Sequence, residues 1–314
     1  YGDHRDLHLS IRRQSQMCIR DSTYVPDDNF EQALIDLGYD DVLDNYVVTD
    51  SISGVTSLNV YSKSISDLTG IEAFVALNEL TCGTNPLGEV DLSNNTALTS
   101  LSIGLSQLTS LDLSNNTSLT SLICHLNGLT SLDLSANTAI TSISCRNNNL
   151  TELVLGNNTA LTQLWCYGNQ LTSLDVSANT SLTTLNCYGN QLTSLDVSNN
   201  TLLTYLHAGT NQLTALDVSQ NTELTTLWVG FNSLDSMDVS ANTALTDLRF
   251  PGNELTALDV STNTALEHLD LWVNQLTALD VNNNTALTTL KASSNDIIAL
   301  DAVSYTHLRA HETE

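Results

Sequence analysis

Apolar side chains return every 21 residues over positions 55–301. In one unit they fall at Leu182, Leu185, Cys187, Leu192, Leu195 and Val197, with Asn190 and Asn200 at fixed places between them. Units of this form start at Leu77, Leu98, Leu119, Ile140, Leu161, Leu182, Leu203, Leu224, Leu245 and Leu266. One 22-residue unit from Val55 precedes these ten, and a partial unit from Leu287 runs to Asp301. A fixed period of this length marks a solenoid. Successive side chains of a strand point to opposite faces, so Leu185 and Cys187 face inward and Asn186 outward. The pattern therefore predicts short strands stacked in parallel, one coil every ~4.8 Å. One coil cannot cover its own leucines; only a stack buries a continuous apolar column. The second half of each unit repeats the motif as Leu195, Asp196 and Val197, which predicts a second extended ladder. The stretch between the two halves is about ten residues, too short for a helix of several turns.

Two asparagine columns punctuate the coils. One comprises Asn85, Asn127, Asn148, Asn169, Asn190, Asn211, Asn232, Asn253, Asn274 and Asn295, with Ser106 as its break; the other runs from Asn95 to Asn284, each followed by Thr. An inward amide can pair backbone groups that a tight turn leaves unmatched, so both columns are read as structural. The Asn-x-Thr triplets match glycosylation acceptors in form only and are given no weight. Cys82, Cys124, Cys145, Cys166 and Cys187 share one inward position, which later units fill with Ala208, Val229, Phe250, Leu271 and Ala292. Replacement by plain hydrophobes marks a packing position, and parallel Cβ atoms one strand spacing apart are too distant for a disulfide. Buried thiols are expected there.

Residues 23–54 read as a cap on the solenoid's first coil. Asp28 and Glu31 have capping-box spacing, Phe30, Ala33, Leu34 and Leu37 share a helical face, and Gly38 can close a helix over about 27–37. The flanks break the pattern. Residues 1–22 hold Arg5, Arg12, Arg13 and Arg20, and residues 302–314 add His307, Arg309 and His311. The strings from Gln16 to Ser22 and from Val303 to Thr313 resemble translated sequencing-adapter read-through, so both ends are read as non-native tails on a truncated gene. Residues 1–22 lack the apolar core of a signal peptide, and no run of 18 apolar residues spans a membrane.

The formal charge of -26 argues against nucleic acid and anionic lipid as partners, both of which need clustered Lys and Arg. With only 14% charged residues and 41% hydrophobic ones in strict period, the chain is folded and acidic rather than disordered. Much of the acid lies in one outward column: Asp91, Asp112, Asp133, Asp175, Asp196, Asp217, Asp238, Asp259, Asp280 and Asp301, broken only by Val154. Carboxylates stacked one coil apart repel by about 1 kcal/mol per pair even in water. Hydration, salt and hydrogen bonds from neighbouring Ser and Thr can offset that. The alternative is a row of weak calcium sites at Asp175, Asp196, Asp217, Asp238, Asp259 and Asp280, although no calcium-loop motif is present. His125, His207 and His268 stand in different units without a serine, cysteine or carboxylate constellation, and no phosphate loop or nucleophile elbow occurs. No catalytic residue, metal ligand or cofactor is expected.

The pattern LxxLxCxxNxL followed by LxxLDLxxNxx resembles the leucine-rich repeats of secreted bacterial proteins. The stretch from Val25 to Gly38 resembles their helical leader, and that from Ile65 to Glu72 an internalin-like repeat. The resemblance spans about residues 23–301. It implies a leucine-rich-repeat solenoid, secretion or surface display, and recognition of another molecule without shared catalytic residues.

One part of the unit does vary. Around the inward Leu and Cys positions, the outward residues include Trp165, Tyr167, Tyr188, Tyr205, His207, Trp228, Phe231, Arg249, His268 and Trp272, with His125 and Arg146 in earlier units. All three tryptophans are among them, and three of the four basic residues of 23–301 share this face, counting Lys291. Clustered Trp, Tyr and Arg are typical of binding hot spots, whereas strand preference explains bulky residues only singly. A protein or peptide ligand is expected on this face, centred between Leu161 and Val273. A glycan on aromatic platforms and a spacer without a ligand are the alternatives.

Overall fold

The computed structural model describes residues 22–301; the tails read as non-native lie outside the described residues except for Ser22. Two compact units divide between Leu129 and Thr130. Each is a parallel β-solenoid of coils about 21 residues long, with few helices.

The first unit opens with a cap. Strand β1 (Ser22–Tyr24) pairs antiparallel with β2 (Tyr46–Val48), and helix α1 (Asp28–Asp36) and the single turn α2 (Thr49–Ile52) pack beside them. Val25, Phe30, Leu34, Val47 and Ile52 are sealed from solvent. The capping box is not formed. Asp27, one residue earlier than expected, takes the Phe30 amide on Oδ1 at 2.9 Å. Its Oδ2 accepts from the Ser66 amide and hydroxyl at 2.8 and 2.7 Å and from the Asp67 amide at 3.1 Å. Asp27 thus bolts the helix to the first repeat as well as capping it. Glu31 turns inward instead of reaching back, and its Oε1 accepts from the Asp44 and Tyr46 amides at 3.0 Å each. Gly38, at φ 80°, closes the helix by donating to the Ile35 carbonyl at 2.9 Å, while Leu37 is left exposed rather than buried.

Burial raises the Asp27 pKa, but the hydrogen bonds from Ser66, Phe30 and Asp67 outweigh it and leave the carboxyl below its ordinary range. The unfolded chain therefore takes up the proton more readily. The stabilisation is complete above the unfolded value of about 3.9 and is lost as pH falls through the lower folded value. Asp27→Asn is expected to melt at a lower temperature than the parent at pH 7. That gap should close as pH falls below about 4, which thermal melts by circular dichroism can follow.

The repeats of the first unit stack β3 (Ser57–Asn59), β4 (Glu79–Thr81), β5 (Ser100–Ser102) and β6 (Ser121–Ile123) in register. In the second unit β8 (Ser142–Ser144), β10 (Gln163–Trp165), β11 (Thr184–Asn186), β12 (Tyr205–His207), β13 (Thr226–Trp228), β14 (Asp247–Arg249), β15 (His268–Asp270) and β17 (Thr289–Lys291) do the same. The central residue of each but β17, such as Leu185, Leu206 or Leu227, is buried, and Leu290 of β17 is half-buried. The cysteine column is buried too, and the pKa of Cys82, Cys145 and Cys187 is pushed up to about 12 by burial, which keeps those thiols protonated.

The second ladder is shorter than the sequence suggests. Only β7 (Ser131–Asp133) with β9 (Glu152–Val154), and β16 (Ala278–Asp280) with β18 (Ala299–Asp301), pair as strands there. Elsewhere the chain turns at once after the aspartate, whose Oδ1 takes the amide two residues on, as Asp196 does from Ser198 at 2.9 Å. Asp133 and Asp280 make the same bond at the ends of the paired strands, so the turn follows the aspartate in either case. Side-chain columns do the stitching instead. Asn190 Nδ2 donates to the Cys166 and Cys187 carbonyls at 3.2 and 3.0 Å, and the Asn190 Oδ1 accepts from the Leu171 amide at 3.0 Å. In the other column Asn200 Nδ2 donates to the carbonyls of Val176 and Asn179 at 3.0 and 2.9 Å, while its buried Oδ1 takes no protein donor. A threonine column adds a third seam: Thr183, Thr204, Thr225 and Thr246 each donate to the carbonyl 21 residues back, at 3.0 to 3.1 Å.

Candidate recognition face

The strand face of the second unit carries three outward columns. The first runs Gln163, Thr184, Tyr205, Thr226, Asp247, His268 down the starts of β10 to β15. The second runs Trp165, Asn186, His207, Trp228, Arg249, Asp270 down their ends. The third lies two residues further on, at Tyr167, Tyr188, Gly209, Gly230, Pro251 and Trp272.

Six of the ten expected residues form one chain of contacts. The Trp165 and Tyr205 rings lie 6.0 Å apart. In reaching each other across β11 they shelter the polar Asn186, which is only 7% exposed. Tyr205 meets Trp228 edge-on at 5.6 Å, Trp228 meets His207 at 5.1 Å, and His207 meets Tyr188 at 4.7 Å. The Arg249 guanidinium sits 4.2 Å over the Trp228 ring. Asp247 fixes it there, accepting from Nε at 2.9 Å and from Nη2 at 2.8 Å. A planar fork held at two points loses little freedom when it then meets a ligand. Asp270, in register with Arg249, pairs with Lys291 at 3.6 Å.

Electrostatics follow from this crowding. Burial, and then the nearby Arg249 charge, push the His207 pKa down to about 4, so its imidazole is neutral at ordinary pH. Burial likewise raises the Tyr205 pKa. The Trp228 Nε1 hydrogen is buried with no acceptor.

The remaining four expected residues sit outside that chain. Tyr167 belongs with Arg146, whose Nη1 donates to its hydroxyl at 2.9 Å. Phe231 is in a left-handed turn at φ 56° rather than on a strand, and its ring meets Trp272 at 6.4 Å. His268 stands in register with Asp247. Asp247 and Asp270 were not expected on this face. The signal for Asp247 is Asp-x-Arg within one strand, since residues two apart share a side.

The aspartate column lies on the second half of each coil, away from these rings. Each carboxylate from Asp175 to Asp259 is held below its ordinary pKa by the serine two residues on, through its amide and hydroxyl. Those bonds lower the carboxylate pKa where the neighbouring aspartates raise it. Asp280 takes the Asn282 amide in the same way. Among the described residues no group of three or more His, Cys, Asp or Glu is placed to hold a metal ion. A melting temperature equal in millimolar calcium and in chelator is the expected result; a rise of several degrees with calcium would restore the column as a cation site.

Residues 159–200 match the model of the family of leucine-rich repeats in two copies. Internalin J of Listeria monocytogenes is 39% identical over 73 residues, which are 23% of this chain and 8% of that protein. The chain is an internalin-like leucine-rich-repeat protein. A crystal structure of an internalin, InlF, from the same species superposes with a TM-score of 0.76 at 24% identity, covering 87% of this chain and 83% of that one. The plant peptide hormone receptor RGFR1, solved in complex with RGF2, superposes with a TM-score of 0.64 at 24% identity, over 73% of this chain and 41% of the receptor. At those identities both likenesses concern the fold. The internalin-like chain spans under a tenth of the length of the curated relative it matches. Among its described residues, no helix is long and apolar enough to cross a membrane.

Proposed function

We propose that the chain is a non-enzymatic recognition module, secreted or displayed at the cell surface, that grips a protein or peptide through the aromatic face of residues 163–272. The observation that carries this reading is the chain of rings from Trp165 to Tyr188, with Arg249 pinned over Trp228, none of which fills the core. Outward aromatic side chains do nothing for stacking, and an arginine held by a bidentate partner is a typical interface anchor. All Lys and Arg of residues 130–301, namely Arg146, Arg249 and Lys291, stand on this face, whereas the aspartates line the other half of each coil. The complex of the plant receptor with RGF2 shows that a solenoid of this fold can hold a peptide. Placement outside the cell follows the resemblance of the repeat to those of secreted bacterial proteins.

The test is binding to a combined array of extracellular proteins and glycans, with a Trp165→Ala, Trp228→Ala, Trp272→Ala variant beside the parent. Protein hits weakened more than about 30-fold in the variant, with unchanged circular dichroism, are expected, since one hot spot is worth about 2 kcal/mol or more. Hits confined to glycans would replace the partner class. Equal binding by both proteins would remove the face from the reading.

A further inference from the structure

The third outward column has a gap that the binding reading does not explain. Tyr188 and Trp272 stand up from it, 40% and 42% exposed. Between them come Gly209, Gly230 and Pro251. The glycines are obligatory. A Cβ on Gly209 would lie 2.9 Å from the Gly230 carbonyl, and one on Gly230 would lie 2.7 Å from the Pro251 ring. The column therefore sinks to a low floor, where His207 Nε2 would lie 3.3 Å from a Cβ on Gly209 and both glycines are buried. Trp228 and Arg249 bound one side. Phe231, 52% exposed, bounds the other from its turn.

The length of this trough is set by the stack. Tyr188 and Trp272 are four coils apart, about 19 Å at roughly 4.8 Å per coil. A polyproline II helix rises about 3.1 Å per residue with three residues per turn, so two turns also span about 19 Å. One of its turns matches two coils, and its ridges would meet an aromatic wall at each end in phase. A β-strand, at about 3.3 Å per residue, also spans this length in three two-residue periods, but each period of about 6.6 Å falls between whole coils.

Hydrogen-bonding capacity points the same way. The trough offers donors: the Tyr188 hydroxyl, on a side chain that stands exposed, and the Arg249 Nη1 that Asp247 leaves unused. Its carboxylates, Asp247 and Asp270, are already taken by Arg249, Lys291 and the Trp272 amide. A ligand rich in acceptors and poor in donors fits such a surface. Proline supplies a carbonyl and no N–H.

Resting on the reading of this face as a protein-binding surface, we propose that the trough takes a proline-rich segment of the partner in the polyproline II conformation, lying along the stacking direction between Tyr188 and Trp272. It belongs to the aromatic-groove class of peptide recognition.

The test titrates the full chain with acetylated, amidated octaproline and, separately, with a Gly-Ser octapeptide of equal length, up to millimolar concentration. Amide shifts are read by nuclear magnetic resonance. Octaproline is expected to move the amides of 188–190, 209–211, 230–232 and 271–273, and the Gly-Ser peptide to leave them. Trp272→Ala, at an exposed side chain outside the core, should weaken octaproline at least tenfold, and Phe231→Ala should do so independently. Equal shifts with both peptides, shifts elsewhere, or no loss in either variant would overturn the proposal. Silent octaproline beside array hits that still depend on the tryptophans would overturn it too, while leaving the recognition face itself standing.

Discussion

Phe250→Ala is expected to loosen the second unit by about 3–5 kcal/mol, the usual cost of emptying a buried aromatic site. Phe250 occupies the inward column that earlier coils fill with Cys166, Cys187, Ala208 and Val229, and it is wholly buried. Its volume has no substitute nearby. Neighbouring coils are held in register by the Thr246 hydroxyl and the Asn253 and Asn274 amides, so the site cannot simply collapse. Because the backbone and core of each coil are held mainly by its neighbours, the loss should appear locally rather than as one global transition. Hydrogen exchange at the amides of β13 to β15 is expected to speed up by about two to three orders of magnitude, with β8 and β10 little changed. Phe250→Leu should cost under about 1.5 kcal/mol. A Phe250→Ala protein with parental exchange rates would refute this account of the core.

Asn190→Ala is expected to cost about 1–3 kcal/mol, for a different reason. The amide fills little space but satisfies the Cys166 and Cys187 carbonyls and the Leu171 amide at once. Truncation strands the Leu171 amide and leaves the Cys166 and Cys187 carbonyls one donor each, from Asn169 and Asn211, in a site only 8% exposed. An unsatisfied buried group carries its desolvation cost, typically about 1–3 kcal/mol. Asn190→Asp should be no better, since a carboxylate cannot donate to the two carbonyls and would lie against them. Asn190→Ser should fall between the parent and Asn190→Ala, because the chain already carries Ser106 at the equivalent place, with its hydroxyl 3.4 Å from the Gly104 carbonyl. Denaturation that ranked Ser no better than Ala would show that the column works by shape rather than by hydrogen bonds.

Much of this skeleton is readable from the chain, because period-2 alternation within a 21-residue period leaves one arrangement that buries Leu164, Leu185 and Leu206 together. The face was legible as a set of residues and not as a geometry. Nothing in the spacing says that Trp165 leans two coils to reach Tyr205, or that Phe231 belongs with Trp272, since side-chain direction depends on neighbours that a repeat pattern averages away. The cap was misread for a related reason. Asp27 and Asp28 are equally good on propensity, and the choice fell to the one whose second oxygen could reach Ser66, 39 residues ahead. The second ladder was overdrawn because alternation reports which side chains turn inward, not whether the backbone stays extended long enough to pair. The threonine seam went unread, because a repeated polar position does not say which carbonyl its hydroxyl reaches.

The coil-to-coil threonine and asparagine bonds all join equivalent atoms of adjacent units. Any unit that keeps those few residues can therefore be spliced beside any other. Unequal recombination between near-identical 21-residue stretches would yield folded offspring with one coil more or fewer. An extra coil between β13 and β14 would part Trp228 from Arg249 while leaving every seam intact. Copy number is then a heritable dial on recognition, turned in whole steps by the genome without passing through unfolded intermediates.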